Sequence, residues 1–173
     1  MPNLFLTADT HFSHQRICDA FNRDGSKMRP WDSSEEMDEA LIENWNRVVR
    51  PNDKVYHLGD VAIARKGLKV LDRLNGDKVL IKGNHDIFKL TDYVPRFRDI
   101  RACQVLDRYV LSHVPIHPDD LTRFLGNVHG HLHSGRVRLN GEIDRRYVCV
   151  CVERTNFAPT AWEDVKKQFV TAI

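Results

Sequence analysis

Residues 79–86 are Val-Leu-Ile-Lys-Gly-Asn-His-Asp, an apolar run that ends in a glycine and three polar residues. The run is short and rich in branched side chains, which is typical of a buried strand. Four other segments repeat this pattern: residues 4–6 before Asp9, 55–58 before Asp60, 110–111 before His113, and Val128 before His131. In α/β sheets ligands bind outside the carboxyl ends of strands, so we expect these polar residues to meet at one edge.

Between these strands the sequence predicts helices. Ser33 and Glu36 have the spacing of a capping box, and Pro51 ends the helical pattern that follows. The apolar face of this helix carries Met37, Leu41, Trp45 and Val48. A second helix is expected around residues 67–74, before an Asn75-Gly76 turn. Because strand, helix and strand alternate, we expect a partly parallel sheet.

The last third of the chain predicts a hairpin and a final helix. Asn140-Gly141 lies between apolar segments at 137–139 and 147–152, which favours a hairpin turn. Thr160 and Glu163 have capping-box spacing and predict a helix that continues through Val170. No linker rich in proline, glycine or serine separates these elements, so we expect residues 1–173 to form a single domain.

The composition is that of an ordinary globular protein. The chain has 173 residues, 42% hydrophobic and 29% charged, which is enough for one substantial core. Its 26 basic and 24 acidic residues leave a formal charge of +2, and this gives no field that would indicate nucleic-acid binding. No apolar run reaches the length of a signal peptide or a membrane span, so a soluble protein with no membrane partner is expected. The sequence leaves the oligomeric state open.

The four cysteines lack the spacing of a metal finger. Cys149 and Cys151 stand two positions apart in an apolar run, and we expect them to point to one face of a strand as buried thiols. Because unpaired thiols fit a reducing compartment, a cytoplasmic location is expected.

Five clusters of possible metal ligands occur in one order: Asp9-Thr10-His11, Gly59-Asp60, Gly83-Asn84-His85-Asp86, Ser112-His113 and Gly130-His131-Leu132-His133. Each cluster alone is weak evidence, because short Asp-x-His and Gly-Asp sequences are more often turns or caps. Together they provide two aspartates, an asparagine and several histidines, which a two-metal hydrolytic site requires. Imidazoles combined with carboxylate and amide oxygens favour transition metals over Mg²⁺ or Ca²⁺.

In this order the clusters resemble the signature of the calcineurin-like metallophosphoesterase superfamily: D-x-H, G-D, G-N-H-[D/E], H and G-H-x-H. The resemblance covers most of the chain, from Asp9 to His133. It implies an α/β fold in which a two-sheet β-sandwich is flanked by helices, in four layers. It also implies a binuclear metal centre at one end of the sheets.

The resemblance further implies a ligand set. The first metal would be held by Asp9, His11, Asp60 and His133, and the second by Asp60, Asn84, His113 and His131. Mn²⁺ is the expected metal, and Fe, Zn, Ni or Co would fit the same ligands. Two divalent cations with two aspartates leave a charge of roughly +2, which attracts phosphate, and the ions can lower the pKa of bound water toward ~7.

The predicted reaction is therefore hydrolysis of a phosphate ester by a metal-bound hydroxide, with a phosphodiester or a nucleotide-type substrate favoured. In the family, the histidine at the position of His85 lies by the leaving-group oxygen, where an imidazolium can protonate it. Asp86 is expected to orient that imidazole or a neighbouring ligand.

Substrate contacts are predicted for the segment that follows the first cluster. His14, Arg16 and Arg23 could reach a phosphate ester at the mouth of the site. The alternative is that these side chains and Arg29 are solvated surface.

The remaining histidines have less specific interpretations. His57 lies inside a strand pattern and is expected to be a core residue. His129 could share the face of His131, and His117 could contact substrate or be exposed.

Two alternative functions stay open. A nuclease of the same superfamily would need basic and aromatic residues together in a groove, which the small net charge does not favour. A non-catalytic protein-binding module on this fold would tend to lose ligands, whereas every expected ligand type is present here.

Overall fold

The structure is a computed structural model that describes residues 2–170, and β-strands form its centre. Its strands are β1 (Leu4–Thr7), β2 (Lys54–His57), β3 (Asp77–Ile81), β4 (Asp99–Arg101), β5 (Cys103–Leu106), β6 (Tyr109–Ser112), β7 (Gly126–His129), β8 (Arg138–Leu139), β9 (Glu142–Ile143), β10 (Tyr147–Cys149) and β11 (Thr160–Ala161). Its α-helices are α1 (Gln15–Cys18), α2 (Ser34–Val48), α3 (Arg65–Leu68), α4 (Leu90–Tyr93) and α5 (Trp162–Val170). Short 3-10 helices lie at Lys69–Arg73, Pro118–Leu121 and Val152–Arg154.

The strands form two main sheets. The first has the order β11-β1-β2-β3-β4, and the second has the order β10-β7-β6-β5. Strands β1 to β4 are parallel to one another, which confirms the partly parallel sheet. In the second sheet β10, β7 and β6 are parallel, while β5 is antiparallel. The parallel strands of both sheets place several loops at the same edge.

The two sheets pack face to face through an apolar core. Leu6 and Ile81 of the first sheet, with Leu58 directly after β2, meet Leu111 and Val128 of the second sheet, and all five are fully buried. A second core lies on the other face of the first sheet, where α2 packs. The outer face of the second sheet carries a smaller cluster beneath the 3-10 helix at Pro118–Leu121. The predicted α/β fold, a two-sheet sandwich flanked by helices, is confirmed.

Helix α2 begins and packs as its sequence predicts. The hydroxyl of Ser33 accepts a hydrogen bond from the backbone N–H of Glu36 at 3.1 Å, and this contact satisfies one of the free N–H groups at the helix start. Met37, Leu41 and Trp45 are buried against the first sheet. Each contributes on the order of 1.5–3 kcal/mol through its burial.

Three local predictions need correction. The Asn140-Gly141 turn does join a hairpin, but its second strand is β9 and not the 147–152 segment. The strand in that segment, β10, instead pairs in parallel with β7 and forms an edge of the second sheet. The helix around 67–74 is α3 followed by a 3-10 helix, and Thr160 lies in β11 and so does not cap α5.

Within the described residues, no helix combines the length and the apolar character that a membrane span requires. All four cysteines are free. Cys149 and Cys151 are close, with their sulfurs 3.3 Å apart, although Cys149 is only partly buried.

Candidate metal centre

The five ligand loops meet at one edge of the two sheets. They follow β1, β2 and β3 in the first sheet and β6 and β7 in the second. The loops carry Asp9, His11, Asp60, Asn84, His113, His131 and His133. A direct link between the sheets closes the site, because the backbone N–H of His131 donates to Asp9 Oδ2 at 2.8 Å.

Asp9, His11 and His133 form a first group, in which one possible ligand atom from each lies within 4.8 Å of the others. Asp9 Oδ1 is 3.7 Å from Nε2 of His11 and 3.7 Å from Nε2 of His133. Ligand atoms that each lie ~2.1 Å from one tetrahedral metal are about 3.4 Å apart, so these spacings are close to those of a metal site.

Asp60, His113 and His131 form a second group with the same 4.8 Å limit. Nε2 of His113 is 3.4 Å from Asp60 Oδ2 and 2.8 Å from Oδ1 of Asn84. Nδ1 of His113 lies 2.7 Å from the carbonyl oxygen of Leu58. A proton on Nδ1 would donate to that carbonyl and would leave the Nε2 lone pair facing the group.

Asp60 lies between the two groups. Its Oδ2 is 3.4 Å from His113 in the second group and 3.8 Å from Nε2 of His11 in the first. Its other oxygen, Oδ1, accepts a hydrogen bond from the backbone N–H of His85 at 2.8 Å. One oxygen of this carboxylate is therefore fixed by the protein, and the other faces both groups.

Buried polar atoms at this centre fit metal ions. Among the described residues, Oδ1 of Asp9 and both ring nitrogens of His11 are buried without a hydrogen-bond partner. An unsatisfied buried polar group costs about 1–3 kcal/mol, so each such atom needs an explanation. Imidazole nitrogens and carboxylate oxygens are suitable ligands for divalent transition metals. The residues present therefore fit two such ions, one in each group.

The ligand loops have a strained backbone. Asp9, His11, Asp60, His131 and His133 all have positive φ, between 49° and 67°. Such conformations are uncommon for residues with a Cβ and cost of order 1–3 kcal/mol each. Strain of this kind persists where surrounding contacts hold it, and it is concentrated at functional sites.

Two glycines allow the loops to approach one another. Gly59 has a φ of 91°, and a Cβ there would lie 2.6 Å from both Gly83 N and His113 Nδ1. A Cβ on Gly130 would collide with Oδ2 of Asp9. Neither position has room for a side chain, so the glycines of the G-D and G-H-x-H clusters are required by close packing.

The charges of the site favour ionised carboxylates. Burial raises the pKa of Asp9, but the nearby imidazoles of His11 and His133 outweigh that effect, so the pKa lies far below its usual value. The pKa of Asp60 is also lowered, because His113 outweighs the effect of burial. Burial lowers the pKa of His113, yet the facing aspartates raise it to about 8. A cation bound at this position would have to displace a proton from that imidazole.

A buried ion pair that the motifs did not predict supports the first group. Oε1 of Glu153 lies 2.9 Å from Nδ1 of His133 and accepts from Nη2 of Arg29 at 2.7 Å. The guanidinium also donates to the carbonyl of Thr10 at 2.8 Å and to that of Asp9. Arg29 is fully buried, so the interpretation of this arginine as solvated surface is wrong. One carboxylate and two carbonyl oxygens compensate the buried charge of its guanidinium group.

Asp86 lies beneath the loops. Its Oδ2 accepts from the N–H groups of Asp60 and Gly83, at 2.9 and 2.8 Å, and its Oδ1 accepts from Val61 at 3.0 Å. The hydrogen bonds of this carboxylate thus reach the loop of a neighbouring ligand. Among residues 2–170, no hydrogen bond connects the Asp86 carboxylate to the imidazole of His85.

Two further histidines border the centre. The rings of His85 and His14 lie 5.7 and 5.5 Å from that of His11, measured between centroids. His85 is exposed and His14 is half-buried. Burial and the positive groups around it lower the pKa of His14 to about 4.

Arg16 and Arg23 are exposed, in α1 and in the loop after it. No ion pair holds either side chain among the described residues. The same segment reaches the loop after His133, because the hydroxyl of Ser134 donates to Oδ1 of Asn22 at 2.9 Å.

The other histidines belong to neither group. His57 is buried in the core, where Nε2 is 3.0 Å from the hydroxyl of Thr10. The ring of His129 faces Tyr147, with Nδ1 2.8 Å from the carbonyl of Gly130, and it forms no hydrogen bond with a ligand side chain within the described part of the chain. His117 is 69% exposed and lies at the start of a 3-10 helix.

The fold and the site define an α/β protein whose strand ends carry two groups of residues that could each hold a metal ion. The chain belongs to the family of the uncharacterized protein MJ1445 of Methanocaldococcus jannaschii. Over an alignment of 173 residues the two are 35% identical, and the alignment covers 96% of this chain and 91% of that protein. No family model matches the chain.

Two further proteins resemble this chain, one in part of its sequence and one in its fold. Gene 66 protein of Mycobacterium phage L5 is 35% identical over 91 residues, which cover 50% of this chain and 41% of that protein. The structure of AQ665 from Aquifex aeolicus, a protein of unknown function, superposes with a TM-score of 0.69 at 21% identity, covering 96% of this chain and 99% of that one. This likeness shows a shared fold.

Proposed function

We propose that this protein is a metal-dependent phosphohydrolase with a binuclear centre, and that its substrate is a phosphodiester or a nucleotide-type phosphate ester. One observation carries the proposal. Two groups of carboxylate and imidazole ligands lie side by side, and Oδ2 of Asp60 faces both. The resemblance of the five ordered clusters to the metallophosphoesterase signature supports the same conclusion.

The first metal would be held by the first group together with Asp60, that is, by Asp9, His11, Asp60 and His133. The second metal would be held by the second group together with Asn84, that is, by Asp60, Asn84, His113 and His131. Two divalent ions, with Mn²⁺ favoured, would supply positive charge for a phosphate anion and an activated water near neutral pH. The free oxygen of Asp60 would serve as a ligand for both metals. Glu153 would accept a hydrogen bond from Nδ1–H of His133 and so direct Nε2 of that imidazole toward the first metal.

His85 would protonate the leaving-group oxygen. Its imidazole is exposed at the edge of the centre, where a departing alcohol has access to it. His14 has a similar distance to His11, but its lowered pKa of about 4 leaves it neutral near pH 7. The exposed position of His85, which a departing alcohol can reach, therefore favours His85 over His14 as the proton donor.

His14, Arg16 and Arg23 would form the mouth of the site. The two arginines have no carboxylate partner among residues 2–170, so their guanidinium groups are available for a phosphate. Replacing both by alanine should raise KM for anionic substrates and leave kcat and stability nearly unchanged. A KM that stays constant across several substrates would assign both arginines to the solvated surface.

Metal analysis combined with an esterase assay tests the proposed function. Protein purified without added metal is analysed for its metal content, and hydrolysis of bis-p-nitrophenyl phosphate is then measured with Mn²⁺. We expect bound transition metal and turnover in the wild type. Asp60→Asn should lower kcat by at least about 100-fold, because one carboxylate serves both positions.

The matched control is Asp120→Asn, which makes the same chemical change at an exposed position outside the predicted substrate segment. It should keep wild-type turnover. Near-normal rates and full metal content in Asp60→Asn would refute the shared role of this carboxylate. A wild type that binds no metal and hydrolyses no ester would refute the proposed function.

A further inference from the structure

A cavity of about 480 Å³ lies beside β10, the edge strand of the second sheet. The β8–β9 hairpin and α5 also contribute to its wall, and none of the residues of the two metal groups lines it. Four arginines line it: Arg136, Arg138, Arg145 and Arg154. We call it the arginine cavity. Its volume lies within the range of small-molecule sites.

The walls of the arginine cavity carry a surplus of positive charge. Two carboxylates, Glu142 and Asp144, stand against the four arginines, which leaves a formal charge of 4 − 2 = +2. Asp144 is already paired with Arg146, which does not line the cavity, at 2.7 Å. Glu142 is therefore the acidic side chain of the lining that stands against Arg136, Arg138 and Arg154.

Three of the arginines lack a carboxylate partner. Arg138 donates to the carbonyl of Gly141 at 2.8 Å, and Arg154 donates to that of Ser134 at 3.5 Å. Neither they nor Arg136 forms an ion pair within residues 2–170. Partial burial and the charges of Arg154 and Arg138 lower the pKa of Arg136, as expected for like charges held together. An anion in the cavity would relieve this repulsion.

The arginine cavity adjoins the loop that carries His133, because the thiol of Cys149, which lines the cavity, donates to the carbonyl oxygen of His133 at 3.6 Å. Arg154 directly follows Glu153, whose carboxylate contacts His133. Arg136 is three residues after His133, so the two Cα atoms are at most about 11 Å apart. His129 lines the cavity and is two residues before His131. A ligand that reaches the first metal group could therefore extend into the cavity.

We propose that the arginine cavity binds a second phosphate group of the substrate, so that the preferred substrate is a small phosphate ester with two separate phosphate groups. The proposal rests on the proposed function for the position of the first phosphate. Planar guanidinium groups match phosphate oxygens with paired hydrogen bonds, which suits arginine better than lysine for this task. A small ligand is favoured over a nucleic-acid strand, because the cavity is bounded and the chain carries a net charge of only +2.

A binding experiment tests the cavity without any catalysis. The full chain is treated with a chelator, the chelator is removed, and inorganic pyrophosphate is titrated by calorimetry. The double variant Arg136→Gln/Arg154→Gln should bind at least about 10-fold more weakly than the wild type, since each arginine provides charge-assisted hydrogen bonds. Arg47→Gln/Arg123→Gln changes the charge equally at exposed positions outside the cavity and should bind within about twofold of the wild type.

Two results of this titration would overturn the proposal. One is a wild type that binds no pyrophosphate. The other is an equal loss of affinity in both double variants, which would show a general effect of charge. Binding of a single-stranded oligonucleotide, with no binding of pyrophosphate, would equally exclude a small ligand.

A kinetic experiment then tests the link to the metal centre. KM is measured with Mn²⁺ for adenosine 3′,5′-bisphosphate and for adenosine 5′-monophosphate. Arg136→Gln/Arg154→Gln should raise KM about 10-fold for the bisphosphate and less than about twofold for the monophosphate. An equal change in KM for both esters would show that the cavity does not bind the substrate. If the wild type hydrolyses neither ester, the proposed function fails, whereas the pyrophosphate titration still decides whether the cavity binds phosphate.

Discussion

The carboxylate of Glu153 lies 2.9 Å from Nδ1 of His133, and the two residues are 20 positions apart in the sequence. Side-chain partners of this kind fix the orientation of a metal-binding imidazole, and their removal typically costs 10–100-fold in affinity. We therefore expect Glu153→Gln to weaken metal binding in the group of Asp9, His11 and His133 by about 10–100-fold. Competition with a chelator measures this loss.

The second metal group serves as an internal reference, because no hydrogen bond connects Glu153 to Asp60, His113 or His131 in the described chain. Glu43→Gln, on the exposed face of α2, is the matched control. Equal weakening of both ions in Glu153→Gln would assign this carboxylate to general stability.

The same carboxylate also balances the buried charge of Arg29. Breaking one partner of a buried ion pair costs about 3–5 kcal/mol, because the other charge stays buried without compensation. Arg29→Met should therefore lower the free energy of unfolding by about 3–5 kcal/mol, measured by urea denaturation of chelator-treated protein.

A double-mutant cycle separates the ion pair from simple packing. Arg29→Met/Glu153→Gln should lose clearly less than the sum of the two single variants, since neither charge remains unpaired. Strict additivity would show that the two side chains stabilise the fold independently.

Asp86 should act through the backbone of two ligand loops. Its carboxylate accepts three N–H groups, and an asparagine would have to present its own NH₂ to at least one of them. Asp86→Asn should lose about 2–3 kcal/mol of stability, within the range of one charge-assisted hydrogen bond. Activity should fall equally for all leaving groups. Normal stability, with a loss confined to poor leaving groups, would instead indicate that Asp86 orients His85.

The sequence predicts the elements that depend on local patterns. The strands before Asp9, Asp60 and Asn84 have short apolar runs, and the helix after Ser33 has both a cap and a periodic face. The partner of β10 could not be predicted, because a nearby Asn-Gly turn suggests a hairpin whereas the observed partner is selected by packing against β7. Pairing between distant strands has no local signal of comparable strength.

The candidate site likewise has residues that the sequence predicts and residues that it does not. The ligand types were visible because they follow strands in a fixed order, whereas Glu153 is a single acidic residue without a motif. Arg29 was expected at the surface because arginine is most often exposed. Its burial is explained only by its contacts with Glu153 and with the carbonyls of Asp9 and Thr10.

His57 should make stability depend on pH. Burial lowers its pKa from 6.5 to about 3, so the folded protein keeps it neutral while the unfolded chain binds a proton below pH 6.5. The stabilising contribution is present above pH 6.5 and is lost as the pH falls toward 3. In His57→Gln this loss is absent, so the stability difference from the wild type should shift in favour of the variant by about 2 kcal/mol between pH 7 and pH 5.

Urea denaturation of chelator-treated protein at several pH values measures this difference. The exposed His117→Gln is the matched control and should show no comparable shift. A pH-independent difference between His57→Gln and the wild type would show that His57 has the same pKa in the folded protein as in the unfolded chain.

The last prediction concerns the role of His85 at the leaving group. If its imidazolium protonates the departing oxygen, the effect should be large for a poor leaving group such as a ribose alkoxide and small for p-nitrophenolate, which leaves without a proton. His85→Ala should therefore slow the hydrolysis of nucleoside or alkyl esters by roughly 10²–10⁴-fold and affect p-nitrophenyl esters much less. Its metal content should match the wild type, because the side chain belongs to neither metal group. His117→Ala provides an exposed histidine as control. Equal losses on both kinds of ester, or the loss of an ion, would place His85 in support of the metal site, and His14, whose ring lies 5.5 Å from that of His11, would then be the next candidate for the acid.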